Sequence, residues 1–233
     1  QQDPVNGGTP TERTEVRIVF NRERLYMGVT CFDSEPDKLL GNTMKRDEFL
    51  MADDRFMWVI DTFLDARTGY FFEMNPSGLM ADSLMGTGGS NERAWDGIWN
   101  ARVRRSEMGW TIEIEIPFRT LNFDPEGGAW GINFQRTVRR KNEETIWNGY
   151  QRNSGGLRRM SNAGLIVGLS LTVLALVLLA GYRRQIENPV VARIEAVGGR
   201  IERYAWGDPW VWRWQAVSRV DFSKSRVTRD GLE

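Results

Sequence analysis

The sequence predicts an all-β protein: an antiparallel β-sandwich, jelly-roll-like, followed by one transmembrane α-helix and a short α/β repeat-like tail. Three observations carry this. Short aromatic and β-branched runs recur between residues 14 and 150, separated by Gly, Pro, Asn and Asp turn signals. One of them, Gly109 to Phe118, alternates with period 2: Trp110, Ile112, Ile114 and Ile116 face one way, Thr111, Glu113 and Glu115 the other. At Gly164 the composition changes abruptly to an uncharged apolar run.

In chain order, residues 1–13 read as a loop. Glu15–Phe20 and Leu25–Phe32 form a hairpin across the polar turn Asn21–Arg24. Asp37 to Phe49 is polar, a short helix or a long loop. Phe56–Thr62, Tyr70–Met74 and Leu79–Met85 are three consecutive strands at the centre of the domain. The turns between them, Asp65-Ala-Arg-Thr-Gly69 and Asn75-Pro-Ser-Gly78, carry the residues that turns demand. A Gly/Ser/Asn loop follows, then the aromatic turn Trp95-Asp-Gly-Ile-Trp99. Asn100–Arg105, Gly109–Phe118, Trp130–Val138 and Ile146–Tyr150 complete about nine strands.

Gly164–Tyr182 is 19 residues without a charge. As a helix it would rise roughly 28 Å, close to the ~30 Å hydrocarbon core of a bilayer. The predicted domains are therefore a sandwich over 1–163, a membrane span over 164–182 and a membrane-proximal segment over 183–233. The last ends in Val220, Phe222, Val227, Gly231 and Leu232, spaced as in one leucine-rich repeat.

Composition narrows the function. The chain carries 31 basic and 31 acidic residues, which gives no reason to expect nucleic acid. It contains no His, which removes the usual general base and any Ser-His-Asp triad. Its one cysteine, Cys31, reads as a buried inert thiol. Glu113 and Glu115 stand roughly 6–7 Å apart on a strand, near the spacing of inverting glycosidase acids, but the solvated face of an amphipathic strand supplies that spacing for free. The expectation is a non-enzyme.

Asp53, Asp54, Asp61, Asp65 and Asp82 flank the central strands. They suit either turn capping or Ca²⁺ through oxygen ligands. Trp95, Trp99, Asn75, Arg93 and Asp96 form the candidate ligand site. An aromatic platform beside amide, carboxylate and guanidinium groups suits a sugar, whose C–H face stacks while its hydroxyls take the polar groups. The alternative is that both tryptophans pack into the sandwich while Arg93 and Asp96 pair on its rim.

Several segments, in order, resemble the carbohydrate-binding module family 9-like domain: PTERTEVRIVFNRERLYMGVTCFDSEPDKL, DDRFMWVIDTFLDARTGYFFEMNPSGLMADSL, WDGIWNARV, GWTIEIEIPFRTLNF and WGINFQRTVRRKNEETIW. They are most similar to its branch at the N-terminus of large bacterial outer-membrane proteins. The resemblance covers about 8–168. It implies a β-sandwich, an exported location in the bacterial cell envelope and glycan binding, with calcium supporting the fold in sugar-binding members. The second function it allows is a structural periplasmic domain of an outer-membrane transporter-like protein, with no sugar site. The family pattern expects a β-barrel after Leu169; the chain instead resembles the start of a membrane-anchored leucine-rich repeat protein. Two pieces are thus expected to meet near Gly168–Ser170.

Overall fold

The computed structural model describes residues 1–48, 50–87, 90–151 and 155–167, together with the backbone of 215–221. Within them the chain forms two antiparallel sheets. The first has the order β12-β1-β2-β8-β7, from β1 (Thr14–Phe20), β2 (Arg24–Phe32), β7 (Asn100–Ser106), β8 (Gly109–Pro117) and β12 (Gln215–Asp221). The second has the order β10-β9-β3-β4-β5-β6, from β3 (Arg55–Asp61), β4 (Gly69–Met74), β5 (Met80–Met85), β6 (Asn91–Glu92), β9 (Ala129–Val138) and β10 (Glu143–Ile146). β11 (Gly164–Val167) also pairs with β9.

The sheets share one core. Val16, Ile18, Leu25, Met27, Val29, Ile112, Ile114 and Ile116 face Phe56, Trp58, Ile60, Phe72, Met74, Ile132 and Phe134. Trp58 stacks on Phe72 at 5.1 Å. β8 alternates in the structure as it does in the sequence, because its outer face is wet. β3 and β4 do not alternate, because both their faces are covered. Met57, Val59, Phe71 and Met85 pack on the outer side under Leu157 and Met160.

The two ends of the sandwich are distinct. At one end a buried ionic knot joins the N-terminal segment to the β2 and β9 termini. Arg136 donates to the carbonyls of Arg13 (3.0 Å) and Phe32 (2.7 Å), and Arg140 pairs with Asp33 at 2.6 Å and Glu12 at 3.2 Å. At the other end lie the β1–β2 and β3–β4 turns and the connection after β8, tied together by Thr62 Oγ1 donating to Asn122 O (2.5 Å) and Asn122 N donating to Tyr70 Oη (2.7 Å).

Three expectations change. The apolar run does not begin as a helix: Gly164–Val167 is a strand, antiparallel to β9, with Ile166 buried in the core. Four apolar residues satisfy a sheet edge as well as a helix turn, and composition alone does not separate them. The uncharged residues left, 168–182, would rise only about 22 Å as a helix, short of a bilayer core. They lie outside the described residues, and among the described residues no helix is long and apolar enough to cross a membrane. Second, of the tail 183–233 only the backbone of β12 is described, as a strand antiparallel to β1; the rest of the repeat-like unit lies outside the described residues. Third, the last predicted hairpin is tighter than expected. Asn142 takes the left-handed conformation (φ 47°), so β10 starts at Glu143 rather than Ile146.

Candidate functional site

The Trp95–Trp99 turn is built around one carboxylate. Asp82 on β5 has a fully buried side chain. It accepts hydrogen bonds from Gly97 N (3.0 Å) and from Trp99 Nε1 (2.8 Å), and pairs with Arg46 at 2.8 Å. Burial pushes this carboxyl above its ordinary range; the Trp99 and Gly97 donors and the Arg46 charge pull the other way. The turn is thereby pinned to the sheet edge, and its two tryptophans part.

Trp99 turns inward and is 4% exposed. It meets Trp58 edge-on at 5.5 Å and Phe72 at 5.3 Å, so its ring belongs to the core. Trp95 stays at the rim, half-buried against Tyr70 (5.0 Å) and Phe72 (6.1 Å). Its ring folds over Gly97, where an added Cβ would lie 2.6 Å from a ring carbon, so a larger residue there would displace the ring. Trp95 and Trp99 therefore do not form a facing pair.

The polar members of the predicted set part as well. Asp96 is 75% exposed by side chain and pairs with Arg46 at 2.6 Å. Arg93 donates to the carbonyl of Asp47 at 2.7 Å. Both lie with Trp95 on one rim. Asn75 does not. It follows the far end of β4, by strand rise about 10 Å from Phe72 and about 17 Å from Tyr70, the two residues against which Trp95 packs. There it is fully buried: Nδ2 donates to Thr43 O (2.7 Å) and Asp53 (2.9 Å), and Oδ1 accepts from Ser77 N and Leu79 N. Asn75 shapes the turn between β4 and β5 and is not next to Trp95.

The rim gains residues that the sequence did not single out. Arg46 bridges Asp82 and Asp96 and lies 3.4 Å from Asp47. Asp47 sits at φ 62°, and its segment docks on β5 through Asp47 N to Met80 O at 3.2 Å. No local pattern in residues 43–48 announces that contact, because it joins positions more than thirty residues apart.

The candidate calcium ligands do not fit a cation. Asp53 accepts from Asn42 N, Thr43 N and Asn75; Asp54 from Leu40 N and Arg139 N; Asp61 from Asp65 N and Ala66 N; Asp65 from Arg67 N and Thr68. Their oxygens are turn and edge caps already filled by N–H donors. Among the described residues no group of three or more acidic, His or Cys side chains is placed to hold a metal. Glu113 and Glu115 lie on the open outer face of β8, and Glu115 pairs with Arg24 at 3.0 Å.

No family model and no curated protein matches the chain. Solved structures do. A carbohydrate binding module family 9 domain from Caldicellulosiruptor kristjanssonii, in complex with glucose, is similar with a TM-score of 0.50 at 14% identity, over 69% of this chain and 78% of that one. The same module in complex with cellotriose gives 0.49 at 13% identity, over 69% and 76%. A candidate carbohydrate-binding protein from Bacteroides uniformis gives 0.52 at 12% identity, over 62% and 73%. At these identities the likeness is one of fold. The chain shares the β-sandwich fold of these structures.

Proposed function

We propose that this domain binds glycans without catalysing their cleavage, at the rim formed by Trp95, Asp96, Arg46 and Arg93. The observation that carries the reading is Trp95 itself: a half-buried indole held by Tyr70 and Phe72, beside an exposed carboxylate–guanidinium pair. The part of the ring left uncovered offers a stacking surface, and the pair offers donors and acceptors to adjacent hydroxyls. The fold likeness to a module solved with glucose supports the same class of ligand. One partly covered ring gives weak binding, with Kd on the order of 1 mM, about −4 kcal/mol. The fold likeness to a binding module supports a non-catalytic role, and the chain has no His to serve as the usual general base. An exported, cell-envelope location belongs to this reading through the branch that the sequence resembles. The test is a glycan array of the full chain against Trp95→Ala. Signal lost in the variant with its circular dichroism unchanged supports the site; signal retained places any binding elsewhere.

A second reading has its own observation. Trp99 is in the core and Tyr70 already covers one side of Trp95, so Trp95 and Trp99 form no slot between their rings. On that reading the domain is a scaffold for an outer-membrane transporter-like protein. A folded chain that binds nothing on the array supports it.

A further inference from the structure

We propose that the β3–β4 hairpin tip is a lipid-contacting element that seats this end of the sandwich on a bilayer surface. The tip presents Phe63 at 54% and Leu64 at 47% exposure. They are held there by design of the loop. The buried Asp61 carboxylate accepts from Asp65 N (3.2 Å) and Ala66 N (2.8 Å), while Leu64 (φ 53°) and Ala66 (φ 58°) take left-handed conformations that side chains other than Gly, Asn and Asp rarely adopt. Asp65 closes the turn by accepting from Arg67 N and Thr68 N. A strained, fully capped loop that ends in two exposed apolar side chains is an anchor, not a slack connection.

The chain's own direction identifies the occupant. β11 pairs antiparallel with β9, and β9 with β3, so β11 runs parallel to β3. Its register puts Leu165, 48% exposed, in one row with Gly131 and Asp61, about 10 Å from Asp61 across two strand spacings. The chain therefore leaves Val167 at the end where Phe63 and Leu64 project, and there the uncharged sequence 168–182 begins. Charges at this end do not favour anionic lipid: Glu23, Asp65, Asp124 and Glu126 stand against Arg22, Arg67 and Arg119. Contact is through apolar insertion, so a neutral phosphatidylcholine surface suffices and salt does not weaken it.

The test uses the full chain with a polarity-sensitive fluorophore on Leu64→Cys, and on Met108→Cys at the opposite end as control; Cys31 is buried and stays unlabelled. The proteins are mixed with phosphatidylcholine vesicles containing doxyl-labelled lipid. The expected result is quenching by doxyl lipid at position 64 several-fold above that at 108, unchanged by salt. Equal quenching at both positions overturns the proposal, as does failure of the chain to bind vesicles. A probe at 64 that is blue-shifted yet indifferent to lipid quencher also overturns it, because protein then covers the tip.

Discussion

Trp99→Ala tests the division of roles within the Trp95–Trp99 turn. The indole is in the core, in edge contact with Trp58 and Phe72, and its Nε1–H is donated to the buried Asp82. Truncating a buried Trp to Ala costs about 3–5 kcal/mol through lost transfer energy and the cavity left behind. The lost hydrogen bond to a carboxylate adds about 1.5–3 kcal/mol, reduced because Asp82 keeps Gly97 N and Arg46. A total near 5 kcal/mol is a large share of the 5–15 kcal/mol typical of a domain. Trp95→Ala removes a half-buried ring and costs about 1 kcal/mol. Urea unfolding of the two variants, followed by circular dichroism, reads the difference directly. A Trp99→Ala loss below about 1 kcal/mol, or a Trp95→Ala loss equal to it, would refute the inward placement of Trp99.

Three further outcomes follow from buried groups elsewhere. Burial raises the Glu73 carboxyl above its ordinary range against the pull of Arg55, Arg93 and Arg158. A carboxyl raised on folding costs stability that accrues as pH rises from its unfolded to its folded pKa. Glu73→Gln should therefore raise Tm near about pH 7, and the gain should vanish towards about pH 4; a gain constant with pH contradicts this. Arg136→Met strands the Arg13 and Phe32 carbonyls and leaves Asp33 to Arg140 alone, so the urea midpoint should fall by the equivalent of about 3–5 kcal/mol. Burial pushes the Cys31 thiol up to about 11. Alkylating reagents at about pH 8 should leave the native chain unmodified and label it fully in denaturant, and rapid native labelling would contradict the burial.

Some of this was legible in the sequence and some was not, for physical reasons. β8 announces itself because one wet face forces alternation. β3, β4 and β5 announce themselves through their turns instead, since burial on both faces erases the period. β6 is two residues long, too short to carry a pattern, and its segment reads as loop. β11 hides in an apolar run because strand and helix use the same residues there. The candidate site divides for a similar reason. Trp95 and Trp99 sit in one five-residue motif, and contacts reached across the fold, with Asp82, Trp58 and Phe72, bury Trp99. Asn75 belongs with the turn chemistry of its own Asn-Pro-Ser-Gly, whose buried side chain caps Ser77 and Leu79. Arg46 carries no local signal at all, since its partners at 82 and 96 are set by packing.

The Trp95 rim is tested by a calorimetric titration of the full chain with glucose and glucose oligosaccharides, repeated on Trp95→Ala and on Asp96→Asn. The expected result is weak saturable binding, abolished in the first variant and reduced in the second, with both variants folded. Undiminished binding in Trp95→Ala, or no heat from any glycan that a folded chain is offered, would contradict it.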